Sequence, residues 1–151
     1  MSESQKLIVL SGGLGTRLRS SIRGKPKALA PVGECTFIEI LVEDWFKKGI
    51  KDFLFLLGYK GSDIEYVLTK SHKIKSLDIK LEFLHEEKLL GTGGAVVNAI
   101  HKKTLKGNFL VMNSDTWISS SHRDLIQMDS PSIAIIEVED TSRFGEVLLD
   151  E

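Results

Sequence analysis

Short apolar runs alternate along the chain with stretches in which apolar residues recur at helical spacing. The runs predict buried strands over Lys6–Leu10, Phe53–Leu57, Lys80–Leu84, Phe109–Met112 and Ser132–Val138. Alternation of strands and helices with crossovers of this length is typical of parallel sheets. We therefore expect an α/β protein with a mainly parallel sheet and helices on both faces.

A capping box, in which a Ser or Thr precedes a Glu by three residues, occurs at Thr36 with Glu39 and at Ser62 with Glu65. The first box predicts a helix that ends at Gly49, because glycine is the usual residue just past a helix end. The second box and two further helical patterns predict helices over Ser62–Leu68, Gly93–His101 and His122–Met128.

The segment from Ser11 to Cys35 does not fit a compact α/β domain, in which a strand-to-helix loop takes about 2–6 residues. It holds five of the 13 glycines, two of the three prolines, and five basic residues with one acid. Loops of this length are functional or disordered, and this composition favours a functional loop.

A glycine-rich stretch follows the first predicted strand directly. Gly12, Gly13 and Gly15 carry no side chains, so their backbone N–H groups can turn toward one anion. Thr16 adds a hydroxyl donor, and Arg17 adds a guanidinium fork that suits phosphate oxygens. The alternative is a glycine-rich turn beside a solvated arginine.

Two better-known phosphate motifs do not occur in the sequence. No Gly-Lys-Ser or Gly-Lys-Thr is present for a P-loop, and Leu18 stands where a dinucleotide fingerprint has its third glycine. Lys25 and Lys27, with Pro26 fixing the backbone between them, add cations near the same loop. One of these lysines would neutralise an α-phosphate, whereas the alternative for both is a surface turn.

Two more segments follow predicted strands. The glycines in the segment Gly91-Thr92-Gly93 leave room for a nucleotide base close to the backbone, whose N–H and C=O groups would hydrogen-bond to the edge of the base. The alternative is a tightly packed helix start. Asn113 and Asp115 come just after a buried strand, where open α/β sheets bind ligands. A carboxylate there suits Mg²⁺, which takes one or two carboxylates plus substrate phosphates. A helix cap or turn is the alternative for Asp115.

Composition and charge exclude several classes of protein. Twenty basic and 21 acidic residues give a net charge of −1, which argues against general nucleic-acid or polybasic membrane binding. The single Cys35 excludes a disulfide framework and a multi-cysteine zinc site. No apolar segment approaches the ~20 residues that span a bilayer, and the first apolar run is too short for a signal peptide. We expect a cytoplasmic protein.

The candidate residues include no nucleophile paired with a base. Two phosphate-binding elements with one metal-binding acid instead favour direct phosphoryl or nucleotidyl transfer, which depends mainly on positioning and charge neutralisation.

Five segments, in this order, resemble the sugar-1-phosphate nucleotidyltransferases: Gly12–Leu18, Pro26–Val32, Leu90–Ala95, Asn113–Asp115 and Ser142–Val147. The Leu-Gly-Thr-Gly-Gly-Ala form of the third segment, with Thr36-Phe37-Ile38-Glu39, is most similar to guanylyltransferases. These act on D-glycero-α-D-manno-heptose 1-phosphate or mannose 1-phosphate.

The resemblance implies a Rossmann-like three-layer α/β sandwich and attack of a sugar-1-phosphate oxygen on the α-phosphorus of an NTP, with GTP favoured. The products would be an NDP-sugar and pyrophosphate. It implies catalytic roles for Arg17, Lys27 and Asp115. It also implies nucleotide binding by Gly12, Gly13, Gly15, Thr16, Arg17, Gly91, Thr92 and Gly93, sugar contacts by Asn113 and Gly145, and Mg²⁺ binding by Asp115.

The chain also departs from the family pattern. Lys88-Leu89 replaces the usual Glu-Pro before the base-binding glycines. Family members continue further, so we expect residues 1–151 to be a nucleotidyltransferase catalytic domain without the family's C-terminal part. The expected partners are an NTP and a sugar 1-phosphate, with no nucleic acid or membrane, and a homo-oligomer is left open. The alternative function is a catalytically inactive nucleotide-sensing or structural module of the same fold.

Overall fold

The computed structural model describes residues 5–13, 25–102, 105, 107–119, 122–128, 131–142 and 145–148. Two compact units are present, Met1–Trp117 and Ile118–Glu151. In chain order the elements are β1 (Lys6–Ser11), a 3₁₀ turn (Lys27–Leu29), β2 (Pro31–Val32), β3 (Cys35–Thr36), α1 (Phe37–Lys47), β4 (Asp52–Leu57), α2 (Gly61–Lys70), α3 (His72–Lys75), β5 (Lys80–His85), α4 (Gly91–His101), β6 (Phe109–Asn113) and α5 (His122–Gln127).

The first unit is built on a four-stranded sheet in the order β5–β4–β1–β6, and every neighbouring pair is parallel. β1 is an inner strand, on which Ile8 is paired with Leu54 on one side and Val111 on the other. β2 and β3 form a separate antiparallel pair. The predicted parallel sheet is confirmed, and its strands all end at one edge.

One face of the sheet packs against α4. Ile8, Leu54 and Leu56 form a buried cluster with Ala95 and Ala99 of that helix. The small helical side chains let α4 approach the larger strand residues closely.

The other face of β4 carries Phe53, Phe55 and Leu57, because successive strand residues point to opposite faces. All three are completely buried. A Cβ on Gly61, the first residue of α2, would lie 2.5 Å from the Cβ of Leu57. The start of α2 therefore lies against this face, and the predicted sandwich with helices on both faces is confirmed.

The predicted start and end of α1 are also confirmed. The Glu39 carboxylate accepts hydrogen bonds from the Thr36 backbone N–H at 2.8 Å and from the Thr36 hydroxyl at 2.7 Å. Gly49 follows the helix with φ at +97°, in the left-handed region that favours glycine.

The predicted capping box at Ser62 and Glu65 is wrong. α2 begins one residue earlier, at Gly61, after Lys60 in a left-handed conformation. Glu65 instead contacts the ring Nε2 of His85 on β5 at 2.6 Å. Glu65 therefore has a partner that is distant in the sequence, His85, in place of the predicted local partner, Ser62. The other two predicted helices are present, although α4 begins two residues earlier than expected and α5 ends one residue earlier.

The predicted strand over Ser132–Val138 is also wrong. These residues of the second unit are described, and they contain no strand. Ile133 and Ile136 are 71% and 82% exposed. An apolar run becomes a strand only where another strand pairs with its backbone, and no described strand pairs with this one.

Candidate functional site

A cleft of about 560 Å³ opens in the first unit, at the edge where the parallel strands end. Its walls come from the loop after β1, the 3₁₀ turn, the loop between β5 and α4, and the turn after β6. The glycine and polar wall residues are Ser11, Gly12, Gly13, Lys27, Glu86, Gly91, Thr92, Asn113, Ser114 and Asp115. Segments predicted separately to bind phosphate, base and metal therefore share one cleft.

Backbone hydrogen bonds hold these loops side by side beyond the strands themselves. The Ser114 N–H donates to the Leu10 carbonyl at 2.9 Å, joining the turn after β6 to β1. The Glu86 N–H donates to the Leu57 carbonyl at 2.8 Å, joining the loop after β5 to β4. The strand register thus fixes the spacing of the cleft walls.

Gly58, for which the sequence analysis predicts no role, lies against two wall residues of the cleft. A Cβ on Gly58 would lie 2.7 Å from the Cα of Gly12 and 2.9 Å from its carbonyl oxygen. It would lie equally close, at 2.9 Å, to the Cδ2 of Leu89. A glycine directly after a buried strand was the available signal, but its partner is distant in sequence.

Lys27 and Asp115 meet inside the cleft. The Lys27 Nζ lies 3.2 Å from the Asp115 Oδ2, and the two side chains are 33% and 43% exposed. Lys25 is exposed and does not line the cleft, so the structure brings Lys27 to the predicted phosphate site. An exposed ion pair contributes only about 0.2–1 kcal/mol, which is too weak to lock the two side chains together.

Asp115 sits on a well-anchored turn. The turn is hydrogen-bonded to β1 through Ser114 and Leu10. Trp117, two residues later, packs edge to face on Phe37 at the start of α1, with ring centroids 6.3 Å apart. The Asp115 carboxylate is therefore presented to the cleft from a fixed backbone.

The donor set around Asp115 decides which metal it suits. Nowhere among the described residues do three or more His, Cys, Asp or Glu side chains converge, so a zinc site with three or four protein ligands does not fit. Mg²⁺ takes one or two carboxylates and completes its shell with phosphates and water. The accessible Asp115 carboxylate fits an ion that arrives with a nucleotide.

Glu86 is a second wall residue for which no role was predicted. Its Oε2 lies 3.3 Å from the position that a Cβ on Gly12 would take. An acid just after a predicted strand is also the signal that marks Asp115, so the same reasoning applied to β5 finds Glu86. The cleft therefore has carboxylates on two sides, one of them paired with Lys27.

The remaining candidates differ in position. Gly91 and Thr92 line the cleft, and Gly91 has φ at +72°, which favours glycine. Gly93 is exposed in the first turn of α4 and is not a wall residue. Asn113 lines the cleft beside Asp115.

Four further residues predicted to belong to the site are not among the described residues of the first unit. Gly15, Thr16 and Arg17 fall outside the described residues. Gly145 is exposed and belongs to the second unit. The roles predicted for these four residues remain predictions. In the part of the chain that is described, every helix is too short or too polar to cross a membrane.

Known proteins resemble the chain over almost its whole length. It is 35% identical to a D-glycero-α-D-manno-heptose 1-phosphate guanylyltransferase from Campylobacter jejuni, over 95% of this chain and 63% of the relative. A protein of the same name from Aneurinibacillus thermoaerophilus is 31% identical, over 93% and 61%. The chain thus spans less than two thirds of the length of these relatives.

A solved structure shares the fold. The crystal structure of HddC from Yersinia pseudotuberculosis complexed with GMP-PN superposes with a TM-score of 0.71 at 31% identity, covering 82% of this chain and 53% of that one. The sequence profile of the nucleotidyl transferase family matches residues 6–151. The chain belongs to the nucleotidyl transferase family.

Proposed function

We propose that the protein transfers a nucleotidyl group from an NTP, with GTP favoured, to a sugar 1-phosphate. The observation that carries this proposal is the meeting of Lys27 and Asp115, 3.2 Å apart, in a cleft walled by Gly12, Gly13 and Thr92. A cation, a carboxylate and a glycine-rich wall are what in-line transfer at phosphorus needs, because catalysis there rests on positioning and charge.

In the proposed reaction, a phosphate oxygen of the sugar 1-phosphate forms a bond to the α-phosphorus of the NTP. The bond from the α-phosphorus to the bridging oxygen breaks, and its electron pair leaves with pyrophosphate. The backbone at Gly12 and Gly13 orients the phosphates, and the Lys27 ammonium neutralises charge that develops on the α-phosphoryl oxygens. Asp115 would hold Mg²⁺, which would supply further charge neutralisation when bound, and Asn113 would contact the sugar.

Glu86 supports the choice of GTP. An ionised carboxylate accepts hydrogen bonds and cannot donate them. Because it also repels the phosphates of the substrate, it suits a neutral part of the substrate that donates hydrogen bonds. The base-pairing edge of guanine has two adjacent donors, N1–H and the N2 amino group, which match the two oxygens of one carboxylate. Adenine, cytosine and uracil place at most one donor beside an acceptor. The names of the guanylyltransferase relatives agree with this preference.

D-glycero-α-D-manno-heptose 1-phosphate and mannose 1-phosphate are the proposed acceptors, and the cytoplasm, where NTPs are made, is the proposed location. The experiment is a panel of the four NTPs against several sugar 1-phosphates, with pyrophosphate release as the readout and Asp115→Asn as the control. Release with GTP and one sugar, lost in Asp115→Asn, would support the proposal. GTP binding without release in any pairing would favour the alternative, an inactive nucleotide-sensing module.

A further inference from the structure

The Lys27–Asp115 ion pair joins two groups that the proposed function assigns to different partners. Lys27 would hold a phosphate, and Asp115 would hold a divalent cation. In the structure, the Lys27 Nζ instead lies 3.2 Å from the Asp115 Oδ2. Among the described residues neither side chain forms a second ion pair.

The two backbones of the pair are fixed. Lys27 opens a 3₁₀ turn whose next two residues, Ala28 and Leu29, are buried. The turn that carries Asp115 is tied to β1 by the hydrogen bond from Ser114 to Leu10. An exchange of partners by the two groups therefore needs only side-chain movement.

The Lys27 side chain is the one able to move. Its ammonium stands at the end of four methylenes, whereas the Asp115 carboxylate is one methylene from a fixed backbone. Both groups are partly open to solvent, at 33% and 43%, so leaving the pair costs little. Lys27 can swing toward a phosphate bound at Gly12 and Gly13 while Asp115 stays in place.

A divalent cation at Asp115 would compete with the ammonium that is already there. Two positive charges close to one carboxylate repel each other, and the repulsion is modest here because both side chains are partly open to solvent. An incoming triphosphate removes the conflict, because it offers Lys27 another anion and shares its own oxygens with the cation.

We propose that Lys27 is a built-in counter-ion that weakens divalent-cation binding at Asp115 until a nucleotide arrives, and that the two side chains then exchange partners. This inference rests on the proposed function. It predicts that removing Lys27 has opposite effects on cation binding and nucleotide binding. A residue with only a phosphate-binding role would not affect cation binding in the absence of nucleotide.

The test is Mn²⁺ binding followed by electron paramagnetic resonance, which needs no turnover. Without nucleotide, Lys27→Met should bind Mn²⁺ roughly two- to fivefold more tightly than the unchanged protein, as expected from loss of an exposed ion pair. Lys27→Gln should behave in the same way. Lys25→Met, which removes an exposed lysine outside the cleft, should bind Mn²⁺ like the unchanged protein. With GTP present the order should reverse, and Lys27→Met should bind Mn²⁺ more weakly.

The double variant Lys27→Met/Asp115→Asn shows whether the gain in Mn²⁺ affinity acts through Asp115. Loss of the gain in this variant supports the exchange, while a persisting gain overturns it. Equal Mn²⁺ affinity of Lys27→Met and the unchanged protein without nucleotide also overturns it. Failure of the transfer reaction is a separate outcome, because it would appear as GTP binding without pyrophosphate release whatever the Mn²⁺ result.

Discussion

A Cβ atom on Gly58 would lie 2.7 Å from the Cα of Gly12, closer than atoms that are not bonded can approach. The ends of β1 and β4 come together here, and the Gly58 N–H points to the Ser11 carbonyl at 3.4 Å. The position of the proposed phosphate loop thus depends on a glycine that lies outside the glycine-rich motif.

Gly58→Ala should therefore displace the loop and weaken GTP binding by about tenfold. Forcing a methyl group into a packed site costs about 1–3 kcal/mol of stability. Calorimetry gives the affinity, and urea unfolding gives the stability. Gly13→Ala is the control for stability, because a Cβ there has nothing within 4 Å and should leave the free energy of unfolding nearly unchanged. A Gly58→Ala protein with normal stability and affinity would contradict the proposed packing.

Glu86→Gln should reduce GTP affinity and leave ATP affinity almost unchanged. The loss should be about 1.5–3 kcal/mol, the range for hydrogen bonds to a charged group. Glu87→Gln is the matched control, since Glu87 is exposed and does not line the cleft. Equal losses for GTP and ATP would show that Glu86 does not distinguish the bases.

Lys27→Met should lower kcat by about 100-fold, the cost of losing one group that stabilises developing charge. GTP affinity should fall much less, because that charge grows mainly in the transition state. Steady-state kinetics and calorimetry separate the two effects, with Lys25→Met as the matched lysine. A loss of affinity with unchanged kcat would make Lys27 a binding residue only. A larger kcat defect in Lys25→Met would reassign the role.

Glu39 should make stability depend on acid pH. Burial raises the pKa of this carboxyl, but hydrogen bonds from Ser71 and Thr36 and the nearby charge of Lys73 together hold it below the usual 4.5. Because the folded pKa is lowered, the stabilisation is present above pH 4.5 and is lost as the pH falls through the folded value.

Glu39→Gln should therefore be less stable than the unchanged protein at pH 7, by about 0.5–2 kcal/mol, as for loss of a helix cap. The difference should shrink as the pH falls below 4.5. Urea unfolding across pH measures it, with the exposed Glu34→Gln as the control. A difference that does not change with pH would disprove the proposed role of the charge.

The sheet was predictable because strands buried on both faces have continuous apolar sequences, as in Phe53–Leu57. The sequence also predicted that the candidate segments after the strands lie close together, because parallel strands end at one edge of the sheet. The failures concern partners distant in the chain. Glu65 binds His85 instead of capping its own helix, and the residues from Ser132 to Val138 have no pairing strand among the described residues.

Local sequence patterns also could not predict which side chains pair across the cleft. The contact between Lys27 and Asp115 joins residues 88 positions apart, and tertiary packing of a 3₁₀ turn against the end of the sheet sets their distance. Gly58 was missed for the same reason, because its need for glycine comes from Gly12 and not from its own turn.

The central claim is transfer of the α-phosphoryl group with its nucleoside. The most direct measurement uses GTP labelled at the α-phosphorus, incubated with the protein, Mg²⁺ and either mannose 1-phosphate or D-glycero-α-D-manno-heptose 1-phosphate. We expect the label to appear in a GDP-sugar, with an equal amount of unlabelled pyrophosphate, and we expect no transfer by Asp115→Asn. Label that stays in bound GTP, or that appears only in GMP or GDP, would contradict nucleotidyl transfer to a sugar 1-phosphate.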